Sequence, residues 1–199
     1  MSAKLETPIE EFEHHQLSNR ELGFWVFLMT DAIIFSLLFA TYVVMLVGTA
    51  GGPTHKDIFE FGIAFWETMF LLTSTMTFGF AYICATRNDI GKAGVWLIAT
   101  FILGGGFLTL ELVEFASLVA AGAGPTRSGY MSSFFTLVGT HGLHVTFGMV
   151  GVLFLIFQML FKGLTPLVRS RLFRLGLFWH FLDIVWIGIF SIVYLPGLI

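Results

Sequence analysis

Charged residues are scarce in this chain of 199 residues. Asp, Glu, Lys and Arg together make up 12% of it, whereas hydrophobic residues make up 56%. Ordinary globular proteins carry about 25% charged residues, so this chain has too few of them to cover a water-exposed surface. Disorder is excluded as well, because a chain stays unfolded when its hydrophobicity is low and its net charge is high. The composition therefore indicates an integral membrane protein.

Cysteine and excess positive charge are also lacking. The single cysteine, Cys84, excludes an internal disulfide, and no Cys/His spacing suggests a zinc site. The formal net charge of -3 gives no reason to expect a nucleic-acid partner. The sequence thus excludes an internal disulfide and gives no support to a zinc-finger or nucleic-acid-binding protein, and the membrane interpretation stays in place.

Five apolar runs are long enough to cross a membrane as helices, since a span takes about 20 residues. The runs cover residues 23–47, 61–85, 93–121, 132–161 and 175–195. The connections between them are too short for a soluble domain, so we predict an all-α integral membrane bundle of five transmembrane helices. In this interpretation residues 1–22 form a cytoplasmic N-terminal tail, and residues 23–199 form the transmembrane domain.

The basic residues predict how this bundle is oriented. Five crossings place the two termini on opposite sides of the membrane. One side holds Lys4, Arg20, Arg87, Lys92, Lys162, Arg169, Arg171 and Arg174. The other side holds only Lys56 and Arg127. Because Lys and Arg are enriched in cytoplasmic loops, we predict a cytoplasmic N-terminus and a periplasmic C-terminus.

Ionisable residues lie inside the runs, where a charge costs on the order of 2.5–3.5 kcal/mol. They are Asp31, Glu67, Glu111, Glu114, His141, His144, His180 and Asp183. We expect the two glutamates of the third run to hydrogen-bond the two histidines of the fourth, because both pairs are spaced i, i+3 and a short loop joins the runs. These four residues form a predicted outer cluster, and Glu67 lies at a depth where it could join them. We expect Asp31, His180 and Asp183 to form a second cluster in the inner half of the membrane.

Three interpretations of these clusters stay open on spacing alone. The first is a structural network that fixes how the helices pack. The second is a proton or ion path, since intramembrane acids and histidines are the usual parts of such relays. The third is a di-metal centre, because an ExxE pair with an HxxH pair supplies enough ligands when all of them converge on one point.

Four segments are more specific in their residue order than in the spacing of their ionisable residues alone. They are 139–145, Gly-Thr-His-Gly-Leu-His-Val; 178–186, Phe-Trp-His-Phe-Leu-Asp-Ile-Val-Trp; 27–35, Phe-Leu-Met-Thr-Asp-Ala-Ile-Ile-Phe; and 111–115, Glu-Leu-Val-Glu-Phe. In this combination they resemble subunit III of the haem–copper terminal oxidases, in order over about residues 22–196. Mitochondrial-type members have seven helices, so this chain resembles a shorter bacterial form. Its outer loops, 48–60 and 124–129, are similar to the cytochrome o (bo-type) ubiquinol oxidase branch of that family.

The resemblance implies a function for a complex and a supporting task for this chain. It implies the non-catalytic subunit III of a proton-pumping terminal quinol oxidase in a bacterial inner membrane, which oxidises ubiquinol and reduces dioxygen to water. Haem b, haem o and copper are then expected in subunit I, with no cofactor, metal or catalytic residue in this chain. The expected partners are subunits I, II and IV and phospholipids. This chain is expected to stabilise subunit I and to support its proton uptake.

The resemblance also implies roles for the ionisable residues. Asp31 matches the family's buried carboxylate, which is usually Glu. The outer cluster is expected to lock the third and fourth helices, while the inner cluster lines a polar face. Since the first two helices of the longer form are missing, this face is expected to meet lipid or another subunit directly. The alternatives are subunit III of a cytochrome c oxidase, a stand-alone membrane metalloenzyme that uses the Glu/His cluster, and an ion transporter.

Overall fold

The computed structural model describes residues 8–51 and 61–198, with side chains for 19–51 and 62–196, and this part of the chain contains helices and no strand. The long helices are α1, Pro8–Met45; α2, Phe61–Thr86; α3, Ile90–Ala120; α4, Gly129–Lys162; and α5, Pro166–Ile189. A π-helical turn, Phe190–Tyr194, continues α5 and leads into a short helix α6, Leu195–Leu198. Five stretches within these elements are long and apolar enough to span a membrane. The predicted all-α bundle with five spans is confirmed.

Four of the five long helices begin before their apolar runs, two of them by nine residues or more. α1 starts at Pro8, so part of the predicted tail is helical, and α5 starts at Pro166 rather than near Leu175. The start of α5 has a clear local cause, because the backbone N–H of Val168 donates to Thr165 Oγ1 at 3.3 Å. Pro166 follows in the first turn, where its missing N–H costs nothing. Hydropathy does not indicate such polar first turns, whereas the helix-capping residues in the sequence do.

The turn between α2 and α3 is held by local polar contacts. Asn88 takes a left-handed conformation with φ of 63°, and the backbone N–H of Lys92 donates to Asp89 Oδ1 at 3.1 Å. The Lys92 Nζ lies 2.9 Å from Asp89 Oδ2. These contacts with Lys92 lower the pKa of the exposed Asp89 carboxyl. A short turn of this kind fixes α2 and α3 as antiparallel neighbours.

Four of the long helices form a closed ring. α2 packs against α3, α3 against α4, α4 against α5, and α5 returns to α2. α1 lies outside this ring and packs on α4 and α5. The membrane bundle therefore has a four-helix core with a fifth helix on one side. α1 covers part of α4 and α5 on that side.

The indole of Trp179 lies at the centre of the ring and is 1% exposed. Its Nε1 donates to Ser74 Oγ of α2 at 3.1 Å, and its ring stacks on Phe78 with centres 6.4 Å apart. Gly104 of α3 and Gly148 of α4 leave room for it, since a Cβ at these positions would lie 3.1 and 2.9 Å from the indole. Four helices therefore meet at one side chain, and glycine permits their close approach.

Candidate functional site

The ionisable residues inside the membrane separate into smaller groups than the sequence predicts. One group, which keeps the name outer group from the cluster predicted above, lies where α2 begins and α3 ends. A second joins α1 to α4, and a third faces α2 from α5, while one histidine stands apart. In that order the groups are Glu67, Glu111 and Glu114; Asp31 and His144; His180 and Asp183; and His141. The predicted division into two clusters is therefore wrong.

The outer group contains three enclosed carboxyl groups. Glu67, Glu111 and Glu114 are 0%, 3% and 4% exposed. The Tyr194 hydroxyl donates to Glu114 Oε2 at 2.7 Å. Both oxygens of Glu67 and the Oε2 of Glu111 receive no hydrogen bond from the part of the chain that the structure describes. Enclosing polar atoms with so few donors is costly. This group lies between α2, α3 and the end of α5, and the bond from Tyr194 joins α3 to that end.

Tyr194 is the member of this group that sequence reasoning missed. It lies in the π-helical turn Phe190–Tyr194, and its ring is in contact with Trp186, with centres 5.9 Å apart. A π turn inserts an extra residue into the helical register and often occurs at functional positions. The inserted residue changes the direction in which Tyr194 faces relative to a regular α-helix. The helical spacing in the sequence therefore does not predict its contact with Glu114.

His141 makes none of the predicted bonds to the glutamates of α3. Its Nε2 lies 3.1 Å from the backbone carbonyl of Leu182 in α5. Since a carbonyl oxygen only accepts, Nε2 carries the proton. The imidazole lies between Trp186 and Phe107, with ring centres 5.3 and 5.7 Å away. His141 therefore joins α4 to α5, and the predicted Glu–His bonding is wrong at this residue.

His144 lies beside Asp31 of α1, not beside a glutamate. Its Nδ1 is 2.7 Å from the Thr140 carbonyl and therefore carries a proton. Its Nε2 faces Asp31 Oδ2 at 3.6 Å, which is too long for a direct hydrogen bond. The rings of Phe35 and Phe178 lie next to the imidazole, at 5.2 and 6.3 Å. The pair forms an electrostatic contact between α1 and α4 in an aromatic enclosure.

His180 and Asp183 face α2, so the predicted grouping with Asp31 is wrong. His180 is exposed and lines a groove between α2 and α5. Asp183 is 7% exposed and lies beside Thr75 of α2, but its Oδ1 makes no hydrogen bond of good geometry. α1 packs on α4 and α5 from the other direction and places Asp31 next to His144 instead.

A second, larger groove opens between α1, α4 and α5, at the end where α1 and α5 begin. Its volume is about 320 Å³, and its lining includes Phe24, Phe27, Phe154, Phe178, Arg171 and Arg174. The two arginines belong to the polar first turns of α5. Aromatic walls with paired guanidinium groups at one end suit an acyl chain that carries an anionic head, because arginine binds phosphate oxygens through its forked donors.

Metal binding requires ligands that converge on one point. Within residues 8–51 and 61–198, no three His, Cys, Asp or Glu side chains are placed so that they could hold a metal ion. Glu114 faces the π-helical turn and Glu111 lies against Gly142 of α4. The two histidines of α4 face α5 and α1 instead. This geometry does not support the di-metal interpretation, and the contacts fit a structural network.

The whole chain can be compared with known proteins. Residues 12–198 match the family model described as cytochrome c oxidase subunit III. The chain belongs to the cytochrome c oxidase subunit III family. This confirms the family resemblance carried by the four segments.

Relatives within the subunit III family match over nearly their full length. The cytochrome bo(3) ubiquinol oxidase subunit 3 of Pseudomonas putida is 51% identical over 180 residues, which cover 89% of this chain and 86% of the relative. The protein of the same name from Pseudomonas aeruginosa is 50% identical, with coverage of 92% and 88%. The cytochrome c oxidase subunit 3 of Bacillus sp. (strain PS3) is 41% identical, with coverage of 91% and 87%.

Proposed function

We propose that this chain is the non-catalytic subunit III of a proton-pumping haem–copper quinol oxidase in a bacterial inner membrane. The observation that carries this proposal is the identity of 51% and 50% to the ubiquinol oxidase subunit 3 of two Pseudomonas species. The complex oxidises ubiquinol and reduces dioxygen to water. Haem b, haem o and copper belong to subunit I, and subunits I, II and IV are the protein partners.

The contribution of this chain is structural in the proposal. Its buried polar residues bond to neighbouring helices, as Glu114 does to Tyr194 and His141 does to Leu182. Contacts of this kind hold the five helices in one arrangement, and they leave a rigid surface against which subunit I is stabilised. Proton uptake by subunit I benefits because its surroundings are held in place. The N-terminus lies in the cytoplasm in this arrangement, as the distribution of basic residues favours.

The groove between α1, α4 and α5 is assigned to a phospholipid. Its aromatic walls accept an acyl chain, and Arg171 and Arg174 lie where the phosphate would be held. With a cytoplasmic N-terminus, both arginines lie at the level of the cytoplasmic headgroups. In this position the lipid covers part of α1, since Phe24 and Phe27 line the groove.

A cytochrome c oxidase subunit is the second candidate function. The observation that favours it is the 41% identity to the cytochrome c oxidase subunit 3 of Bacillus sp. (strain PS3). The two candidates differ only in the electron donor of the complex. Oxygen uptake by the purified complex, measured with ubiquinol and then with reduced cytochrome c, separates them.

Purification through a tag on this chain tests the proposed function. The membrane is solubilised in mild detergent, and the absorption spectrum and the subunit pattern of the tagged material are recorded. Haem bands that arrive with two larger chains support the oxidase subunit. A lone band of 22.2 kDa that carries stoichiometric metal would instead support the metalloenzyme. Ion movement in vesicles that hold only this chain would support the transporter.

A further inference from the structure

Among residues 8–51 and 61–198, none fills the groove between α2 and α5. We propose that it receives a transmembrane helix of another subunit of the oxidase, and that a polar side chain of this helix hydrogen-bonds His180. The inference rests on the proposed function, because it takes the partner to be a subunit of that complex. It adds the face of this chain on which the partner lies and the residue that the partner contacts.

The depth of His180 is the first argument. The span Pro166–Tyr194 contains it, and the last basic residue before it, Arg174, lies six positions earlier. At 1.5 Å per residue this distance is about 9 Å along the helix, which is more than an imidazole can bridge to reach the headgroups. An exposed ionisable side chain at this depth faces protein or enclosed water, since lipid tails offer no hydrogen bond.

The shape of the groove is the second argument. It has a volume of about 160 Å³ and is lined on α2 by Phe78, Gly79 and Tyr82, and on α5 by residues that include Gly176 and His180. A Cβ at Gly79 would meet no atom within 4 Å, so the α2 backbone is open to the groove. Small residues at such a place let another transmembrane helix approach closely. The lining follows both helix axes, which suits a helix as the occupant.

The lining of the groove distinguishes a helix from a lipid. His180 belongs to this lining, whereas Asp183, spaced i, i+3 from His180, is buried beside Thr75 inside the bundle and does not line the groove. A phospholipid would place its polar head at the membrane surface, as in the α1–α4–α5 groove, and would put hydrocarbon against His180. A helix with a donor or acceptor at this depth complements the groove, and a lipid does not.

Photo-cross-linking in the intact complex tests the occupant directly. The photoreactive residue p-benzoylphenylalanine replaces Gly79, and a matched variant carries it at Gly62. Gly62 is an exposed glycine of the same helix whose Cβ would also meet no atom within 4 Å. We expect an adduct from position 79 with another oxidase subunit, identified by its peptide masses, at least fivefold above position 62. An adduct with phospholipid, equal yields at both positions, or no protein adduct in a complex with normal haem content overturns the inference.

Steric and polar variants give a second readout. Gly79→Phe places a ring at the groove from a Cβ that meets no atom within 4 Å, whereas Gly62→Phe adds the same ring from an equally open position elsewhere on α2. We expect Gly79→Phe to lower the haem recovered per tagged chain at least fivefold, and Gly62→Phe to leave it unchanged. His180→Leu is expected to lower the haem recovered per tagged chain as well. His180→Gln is expected to keep most of the haem recovery, because an amide still forms hydrogen bonds. Unchanged haem recovery with both Gly79→Phe and His180→Leu overturns the inference.

The oxidase assignment and the docking site are refuted by different results. If the unmodified tagged chain brings down no haem-bearing subunit, the proposed function is wrong. If it brings down the oxidase but position 79 links only to lipid, the oxidase assignment stands and the docking site is wrong. The amount of each variant in the membrane, measured by immunoblot, separates a lost contact from a chain that fails to fold.

Discussion

The replacement Gly148→Ala tests whether close packing around Trp179 holds the bundle together. A Cβ at Gly148 would lie 2.9 and 3.1 Å from two atoms of the indole and 3.3 Å from the ring of Phe178. The indole cannot swing away easily, because it is buried and its Nε1 donates to Ser74. The added methyl therefore has to displace α4 or the ring, and we expect the variant to be destabilised.

The expected magnitude follows from a matched control on the same helix. At Gly139 a Cβ would lie 3.7 Å from its nearest neighbour, Phe115, which is an ordinary contact. Both Gly148→Ala and Gly139→Ala gain up to about 1 kcal/mol of helix propensity, so this gain cancels in the comparison. Overpacking of a well-filled core costs about 1–3 kcal/mol. The two variants should thus differ by about 5- to 150-fold in the folding equilibrium constant.

The assay is the thermal stability of this chain within the purified complex. Samples in mild detergent are heated in steps, and the fraction of the chain that stays soluble and bound is measured by gel and immunoblot. We expect the Gly148→Ala chain to leave the soluble complex at a lower temperature than the Gly139→Ala chain. The temperature for Gly139→Ala should be equal to or above that of the unmodified protein. If the two variants behave alike, Trp179 is not held as closely as the structure shows, and the reasoning is refuted.

Three further changes probe other contacts. Tyr194→Phe removes the bond to Glu114 and should destabilise the chain by about 1 kcal/mol, measured by the same heating assay; a variant as stable as the unmodified chain would contradict this role. Arg171→Ala combined with Arg174→Ala should reduce the phospholipid that co-purifies, measured by native mass spectrometry, whereas lysines at both positions should retain part of it; unchanged lipid in the alanine variant would rule out this groove. Phe35→Ala should destabilise the packing of α1 by about 3–5 kcal/mol, the usual cost of truncating a buried phenylalanine, and equal heat resistance would contradict this role of Phe35.

The number of spans and the family could be predicted from the sequence. Hydropathy is a property of each segment by itself, so five apolar runs give five helices whatever they pack against. The motifs around His141 and His180 are likewise contiguous, and the match over residues 12–198 agrees with them. Helix ends were less well predicted: α5 begins at Pro166 because Thr165 caps a polar first turn that carries no hydropathy signal.

The partners of the polar residues were decided only by the tertiary structure. An i, i+3 spacing places two side chains on one face of their own helix, but it does not say which helix lies opposite that face. α1 packs on α4 and brings Asp31 to His144, while α5 turns His180 toward α2. A π turn brings Tyr194 to Glu114. Each of these pairings depends on how neighbouring helices are rotated and crossed, and bulky side chains such as Trp179 fix that rotation from positions far apart in the sequence.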